Sequence, residues 1–171
     1  MNNRYLKART LARAKHTGQM YGDVPYYIHL DAVSRLASPF GTDAMIVAQL
    51  HDVLEDTETT IDELAADFGF LVADAVGYMT DDKLESRQDR KHQINQRLAI
   101  LDTVEEAARI ALIIKACDRL ANVRASLYSN HHYYQLYQEE HQAFKQSVYR
   151  KGLCEAIWWE LDNLLRYSEA S

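Results

Sequence analysis

The chain has 171 residues, of which 47% are hydrophobic and 26% charged, and its formal net charge is −6. This length accommodates one domain with a substantial core and leaves little room for two. The negative charge argues against a nucleic-acid binder that depends on a basic face, whereas a few local cations and a bound divalent ion still permit a nucleotide substrate.

The sequence also constrains the compartment. No apolar run approaches the roughly 18 residues that a membrane span needs. The N-terminal segment MNNRYLKART is polar and basic, which argues against a secretory signal. The two cysteines, Cys117 and Cys154, do not form a CxxC pair. We therefore expect a reduced, cytoplasmic protein that contacts neither membrane nor nucleic acid.

Helical periodicity dominates the chain, which contains only two prolines and six glycines. Apolar residues recur every three or four positions over long segments, and this pattern predicts an all-α protein. No repeat or linker divides the segments, so we predict a single domain over residues 1–171. The predicted helices lie at about residues 3–16, 26–37, 42–55, 60–68, 70–79, 86–102, 105–127, 134–149 and 151–167.

Two segments between helices have clear local signals. The segment GQMYGDVP, from Gly18 to Pro25, predicts a loop because glycine and proline interrupt the helical period. Thr60 and Glu63 have the spacing of a capping box, in which each side chain bonds the other residue's backbone amide. Gly69 then fits a helix end.

The segment LHDVLEDT, residues 50–57, concentrates imidazole and carboxylate groups on an apolar helix. On a continuous helix His51 and Asp52 point about 100° apart and can approach one ion from neighbouring directions. Glu55 and Asp56 lie one turn further, where they would hold a water rather than the ion. So many polar groups would be costly there without a cation, although EDTE alone is also typical of a solvated helix end.

Two more residues complete a candidate ligand set. Asp118 follows the stretch ARIALIIKAC, which is too apolar for a surface face, so its carboxylate needs a partner or a metal. His29 alone would more often be a satisfied core histidine, but beside His51, Asp52 and Asp118 we interpret it as a ligand. Mixed imidazole and carboxylate ligands favour Mn²⁺, with Fe²⁺, Zn²⁺ and Ni²⁺ left open.

The chain resembles the hydrolase domain of the RelA/SpoT alarmone family, above all its stand-alone small hydrolases. The likeness covers roughly residues 4–127, and the C-terminal helices at about 134–167 match only loosely. HDxxEDT followed by KxxDRxxNxR is far more specific than an HD pair alone. The matching text, in order, is KHTGQ at 15–19, PYYIH at 25–29, LHDVLEDT at 50–57, FG at 68–69, MTDDK at 79–83, RK at 90–91 and KACDRLANVR at 115–124.

This resemblance implies an HD-domain helical bundle that uses Mn²⁺ to remove the 3′-pyrophosphate of ppGpp or pppGpp, giving GDP or GTP. A chain of 171 residues leaves no room for the family's synthetase domain. The implied metal ligands are His29, His51, Asp52 and Asp118. Glu55 and Asp56 match the pair that positions the attacking water, and Asn122 matches an asparagine near the ribose and the scissile phosphate.

The resemblance also supplies candidate substrate contacts. The cations available to neutralise the outer phosphates are Lys83, Arg87, Arg90, Lys91 and Arg124. Arg124 is the weakest candidate because its guanidinium could equally pair within the protein. In the family, the loop before PY carries an Arg-Lys pair, whereas residues 20–24 here contain no cation. Tyr21 could stack on a base instead, since any base offers a π-face.

Two alternatives stay open, the first of them because of the altered loop. The first is an HD phosphohydrolase acting on another nucleotide, such as a nucleoside 5′-phosphate or the 2′-phosphate of NADPH. The second is a non-catalytic alarmone-binding protein, which would predict the loss of Glu55, Asp56 or a ligand, and all of these are present. We also predict that Trp158 and Trp159 belong to the core face of the last helix, and that an exposed tryptophan there would mark a homo-oligomer contact.

Overall fold

The computed structural model describes residues 3–81, 86–129 and 131–166, and it confirms the all-α class. Beside the helices, one short hairpin and one 3₁₀ turn (Ser38–Phe40) complete the described elements. The helices are α1 (Asn3–Lys15), α2 (Tyr27–Ala37), α3 (Thr42–Leu50), α4 (Val53–Asp56), α5 (Ile61–Phe68), α6 (Phe70–Met79), α7 (Arg87–Ala99), α8 (Glu106–Ser129), α9 (His131–Val148) and α10 (Glu155–Leu164).

Helix α8 is the central element, and it packs against α2, α3, α6, α9 and α10. Leu112, Ile114 and Leu120 are fully buried in the core around it. Asp118 and Asn122 are four residues apart and therefore share one face of the helix. An apolar helix that carries a polar stripe can close the core and present that stripe to a site at the same time.

The predicted helix at 42–55 is wrong as a single element. Helix α3 ends at Leu50, α4 begins at Val53, and the two residues between them form a turn. Asp52 has φ −104° and ψ 0°, outside the helical minimum. The imidazole Nδ1 of His51 lies 2.8 Å from the carbonyl oxygen of Ala48, one of the last carbonyls of α3. The His51 side chain thus helps to end α3 at a point where the periodic apolar pattern predicts that the helix continues.

The predicted loop at Gly18–Pro25 contains a small hairpin. Strand β1 (Met20–Tyr21) pairs antiparallel with β2 (Val24–Pro25), with Tyr21 opposite Val24. Gly22 in the two-residue turn has φ 59°, a conformation that glycine adopts without steric cost. The hairpin therefore directs the side chain of Tyr21 from a fixed position.

The capping box at the start of α5 is confirmed. The side-chain oxygen of Thr60 accepts from the backbone N–H of Glu63 at 3.3 Å, and the Glu63 carboxylate accepts from the backbone N–H of Thr60 at 2.8 Å. Gly69 ends the helix with φ 89°. This boundary was predictable because its bonds form between residues three apart.

The C-terminal helices start at different residues from those predicted. Helix α9 begins at His131, and α10 begins at Glu155 rather than near 151. Trp158 is 2% exposed, as a core residue should be, but Trp159 is 71% exposed, so the core assignment of Trp159 was wrong. A homo-oligomer contact there stays a prediction. Among the described residues, no helix combines the length and hydropathy of a membrane span.

Candidate metal centre

Three elements that are far apart in the sequence bring their ligand groups together. His29 lies on α2, His51 in the turn after α3, and Asp118 on α8; their ligand atoms all lie within 4.8 Å of one another. Asp118 Oδ1 is 3.2 Å from His29 Nε2 and 3.7 Å from His51 Nε2. Both imidazoles are buried. This spacing would let one ion contact all three residues.

Asp52 joins this group from the side. Its Oδ2 lies 2.9 Å from His51 Nε2 and also accepts a hydrogen bond from the hydroxyl of Tyr26. The four residues predicted as ligands are therefore brought together. Tyr26 fixes the same Asp52 oxygen that faces His51, as an outer-shell hydrogen bond does in metal sites.

The bonding of His51 fits a bound cation. Its Nδ1 donates to the carbonyl of Ala48, so Nε2 carries a lone pair when the ring is neutral. That Nε2 is buried, faces the carboxylates of Asp52 and Asp118, and makes no well-aligned hydrogen bond with any described residue. A lone pair facing two carboxylates is unfavourable unless a proton or a metal lies between them. Two imidazoles and two carboxylates suit a divalent transition ion.

The same contacts perturb the ionisation of the cluster in the absence of a metal. Burial acts to lower the pKa of His51, but the carboxylates of Asp52 and Asp118 outweigh it and raise that pKa. Burial acts to raise the pKa of both aspartates, and the neighbouring imidazoles outweigh it and lower them. Both carboxylates therefore stay ionised, which is the state that binds a cation.

Glu55 lies next to the cluster on α4 and is half-buried. Its Oε2 accepts a hydrogen bond from the backbone N–H of Asp81 at 3.2 Å. Burial raises the pKa of Glu55, and the carboxylates of Asp81 and Asp52 raise it further. A carboxylate with a raised pKa is a better proton acceptor, which suits a group that takes a proton from water.

Asp56 is exposed, and it is hydrogen-bonded through residues to which the sequence analysis assigned no role. Its Oδ2 accepts from Gln19 Nε2 at 2.8 Å, and Gln19 Oε1 lies 2.6 Å from Nδ1 of the buried His16. His16, Gln19 and Tyr26 were all missed as site residues. The available signal was their position in KHTGQ and PYYIH, two of the segments that carry the resemblance.

Tyr21 and Asn122 cover the other side of the cluster. Asn122 Nδ2 donates to Asp118 Oδ1 at 2.6 Å, and the hydroxyl of Tyr21 donates to Asn122 Oδ1 at 2.7 Å. The ring of Tyr21 stacks on His29 with 4.8 Å between ring centroids and 24° between planes. One ring face of Tyr21 is thus already used inside the protein, and a base could stack only on the other face.

A basic cavity of about 130 Å³ opens beside Asp118 and Asn122, between α7, α8 and α9. The Glu140 carboxylate forms ion pairs with Arg87 at 2.8 Å and with Arg119 at 2.9 Å. Lys91 Nζ forms another with Asp81 Oδ2 at 2.6 Å. With Asp118, which also lines the wall, four cations face three carboxylates, which leaves a small net positive charge for a phosphate chain. The cationic side chains in the wall are Arg87, Lys91, Lys115 and Arg119.

Comparison with known proteins agrees with this geometry. The model of the HD domain family matches residues 8–152, which is most of the chain. The chain belongs to the HD-domain family. The match contains the two helices and the turn that supply His29, His51 and Asp118, so this HD domain has its candidate ligands within the matched region.

Relatives place this HD domain among RelA/SpoT-type hydrolases. It is 34% identical over 126 residues to the zebrafish (Danio rerio) guanosine-3′,5′-bis(diphosphate) 3′-pyrophosphohydrolase MESH1, covering 70% of this chain and 67% of that one. It is 37% identical over 119 residues to the Vibrio cholerae enzyme of the same activity, covering 67% of this chain and 17% of that one. The solved structure of a metazoan SpoT orthologue that hydrolyses ppGpp has the same fold, with a TM-score of 0.78, 24% identity and coverage of 95% and 96%.

The predicted substrate cations are distributed unevenly around the HD domain. Arg87 and Lys91 line the cavity, and so do Lys115 and Arg119, which were missed although both lie in the KxxDR text. The described cavity wall does not include Arg90 or Arg124. Both guanidinium contacts of Arg124 to Glu160 measure 2.7 Å, which ties α8 to α10. The prediction for Lys83 lies outside the described residues.

Proposed function

We propose that this HD domain is a metal-dependent (p)ppGpp 3′-pyrophosphohydrolase. ppGpp and water would give GDP and pyrophosphate, and pppGpp and water would give GTP and pyrophosphate. The observation that carries the proposal is the buried cluster of His29, His51 and Asp118, which lies directly beside a basic cavity. The relatives with this activity support the choice of substrate.

We infer that the ion is Mn²⁺, held by His29, His51, Asp52 and Asp118. When bound, a divalent ion would lower the pKa of a water and neutralise charge on the phosphoryl oxygens. The donor set supports a borderline divalent ion, and Fe²⁺, Zn²⁺ and Ni²⁺ share that preference. Metal analysis of the purified protein, combined with reconstitution by each ion, tests the assignment.

The carboxylates of Glu55 and Asp56 would orient the attacking water. The raised pKa of Glu55 makes it the better proton acceptor, and Asp56 is fixed by Gln19 so that its other oxygen can accept from a water. Water would attack the phosphorus joined to the ribose 3′-oxygen, the P–O bond would break, and the 3′-oxygen would leave with a proton. Asn122, bonded to Asp118, would lie near the ribose and the scissile phosphate.

The basic cavity would receive the pyrophosphate. Arg87 and Lys91, with Lys115 and Arg119, supply the charge; Arg119 is braced by Glu140 and by the rings of Tyr137 and Phe144. A braced guanidinium loses little conformational freedom when it binds an anion. Lys83 and Arg90 remain predicted contacts, and Arg124 would have to leave Glu160 to join them.

The composition of the hairpin supports a second candidate, an HD phosphohydrolase that acts on another nucleotide. The hairpin carries no cation, so the base would be bound by stacking on the outer face of Tyr21 rather than by charge. A nucleoside 5′-phosphate or the 2′-phosphate of NADPH could exploit the same metal and a less selective base site. A non-catalytic alarmone-binding role is disfavoured because both water-positioning carboxylates and all four candidate ligands are present.

The experiment is a reaction of the purified protein with Mn²⁺ and ppGpp, with products resolved by anion-exchange chromatography. Equal amounts of GDP and pyrophosphate are expected, and removing the ion with a chelator should stop the reaction. Cleavage of NADPH or a nucleoside 5′-phosphate but not ppGpp would move the activity to the alternative. We further propose that the protein acts in the cytoplasm, on a small nucleotide without nucleic acid or membrane, and self-associates through Trp159.

A further inference from the structure

His16 lies directly after α1 and is only 5% exposed. Its Nδ1 is 2.6 Å from Oε1 of Gln19. An amide oxygen can only accept a hydrogen bond, so Nδ1 must carry the proton. The proton on Nδ1 is therefore held by a single, short contact.

This contact and the Asp56 carboxylate together set the orientation of the Gln19 amide. With Oε1 receiving the proton of His16, Nε2 faces Asp56 and donates to its Oδ2 at 2.8 Å. The opposite orientation would place the amide oxygen against the carboxylate and the amide nitrogen against the N–H of His16, which is unfavourable at both ends. The hydrogen bonds thus form a directional chain from His16 through Gln19 to Asp56.

A purely structural role would not account for a histidine at this position. Its other nitrogen, Nε2, is buried without a hydrogen-bond partner among the described residues, a cost that an apolar side chain of similar size would avoid. The ring packs on Tyr26 with 4.9 Å between centroids, and an apolar residue could supply that contact too. The bond to Gln19 Oε1, in contrast, needs a hydrogen-bond donor such as the Nδ1–H of His16.

We propose that His16 is a positioning residue for hydrolysis, which fixes Asp56 through Gln19. The inference rests on the proposed function, in which Asp56 orients the attacking water. Neither His16 nor Gln19 would touch the metal or the phosphates. Loss of either should therefore lower kcat and leave metal affinity and KM nearly unchanged.

The kinetic test compares His16→Leu, which removes the donor, with His16→Asn, whose amide nitrogen can occupy the place of Nδ1. We expect His16→Leu to lower kcat for ppGpp about tenfold, with KM and Mn²⁺ affinity within about twofold of the wild type. His16→Asn should recover most of the loss. Thr17→Ala is the matched control, because the Thr17 hydroxyl bonds only to nearby carbonyls of the preceding turn in the described contacts.

A double-mutant cycle separates the chain of bonds from a general loosening of the segment. Gln19→Leu should cost as much as His16→Leu, and the double variant should cost no more than either, because both break the same path. Additive losses would overturn the proposal. So would a loss of Mn²⁺ affinity in His16→Leu, or a His16→Asn variant as slow as His16→Leu.

A measurement without substrate keeps this test separate from that of the proposed function. In the full chain loaded with diamagnetic Zn²⁺, ¹⁵N-labelled His16 should keep a proton on Nδ1. Gln19→Leu should abolish this preference for Nδ1. An unprotonated Nδ1 in the wild type would overturn the proposal whatever the substrate proves to be. If the NMR result is as expected but ppGpp is not cleaved, the proposed function fails alone.

Discussion

The candidate metal cluster and the basic cavity share helix α8, yet they are built in different ways. The cluster uses short side chains, and the ligand atoms of His29, His51 and Asp118 lie within 4.8 Å of one another. The cavity uses long cations, which are held in place by counter-charges such as Glu140 and Asp81. The proposed chemistry is therefore expected to tolerate little change in the cluster, whereas binding in the cavity should weaken gradually.

The largest effect should follow from breaking the cluster. Asp118→Ala removes the oxygen that lies nearest to His29, so the ion should no longer be held and turnover should fall at least about a thousandfold. Elemental analysis and ppGpp assays measure both. Asp74→Ala, an exposed acid on α6, is the control. A variant that keeps stoichiometric Mn²⁺ and most of its turnover would show that Asp118 is not a ligand.

A change in the water-positioning pair should separate chemistry from metal binding. Asp56→Asn keeps the size of the side chain but loses its charge, so we expect full metal content and a fall in kcat of about a hundredfold or more. Glu58→Gln, a neighbouring acid on the same segment, is the control. Unchanged turnover would remove Asp56 from the mechanism.

On the cavity side, losing one cation should raise KM rather than abolish turnover. Lys115→Met should raise KM for ppGpp about tenfold and weaken the dependence of binding on salt. Lys115 also lowers the pKa of Glu55, so that pKa should rise further in the variant. With Glu55 as the proposed proton acceptor, turnover should be lost as Glu55 is protonated, and the acid limb of kcat should therefore move to higher pH. Arg109→Gln, on the exposed part of α8, should change neither quantity.

The smallest effect should come from the hydroxyl of Tyr21. Tyr21→Phe keeps the stacking on His29 but loses the bond to Asn122, so kcat should fall about threefold. Tyr21→Leu also loses the stacking face and should raise KM more than Tyr21→Phe does. Equal KM values in the two variants would argue against a base that stacks on this ring.

The cluster could be predicted from the sequence because its chemistry restricts the residue types. Only a few side chains bind a divalent ion, and His51, Asp52 and Asp118 lie in apolar surroundings where a charged group without a partner is costly. The order of the helices and the capping box at Thr60 were equally accessible, since both depend on local pattern. Whether the four predicted ligands bind a metal stays a prediction.

The remainder depended on tertiary contacts. The periodic pattern continues through LHDVLEDT, so nothing in it marks the turn that His51 makes by bonding Ala48. The sequence does not determine where the charged ends of Lys115 and Arg119 lie, because the packing of α9 against α8 decides their position. Tyr21 was expected to meet a base, but the hairpin places its ring on His29, a contact that a loop prediction does not contain.

Helix α8 also limits how the substrate range of this protein can change. Lys115, Asp118 and Asn122 lie on one rigid rod that rises about 1.5 Å per residue, so the span from the first to the last is about 10 Å and cannot be adjusted by substitution. In the proposed reaction, the distance between the cleaved bond and the outer phosphates would thereby be inherited with the core. New specificities would have to arise on the hairpin, α7 and α9, where side chains can change without moving that rod.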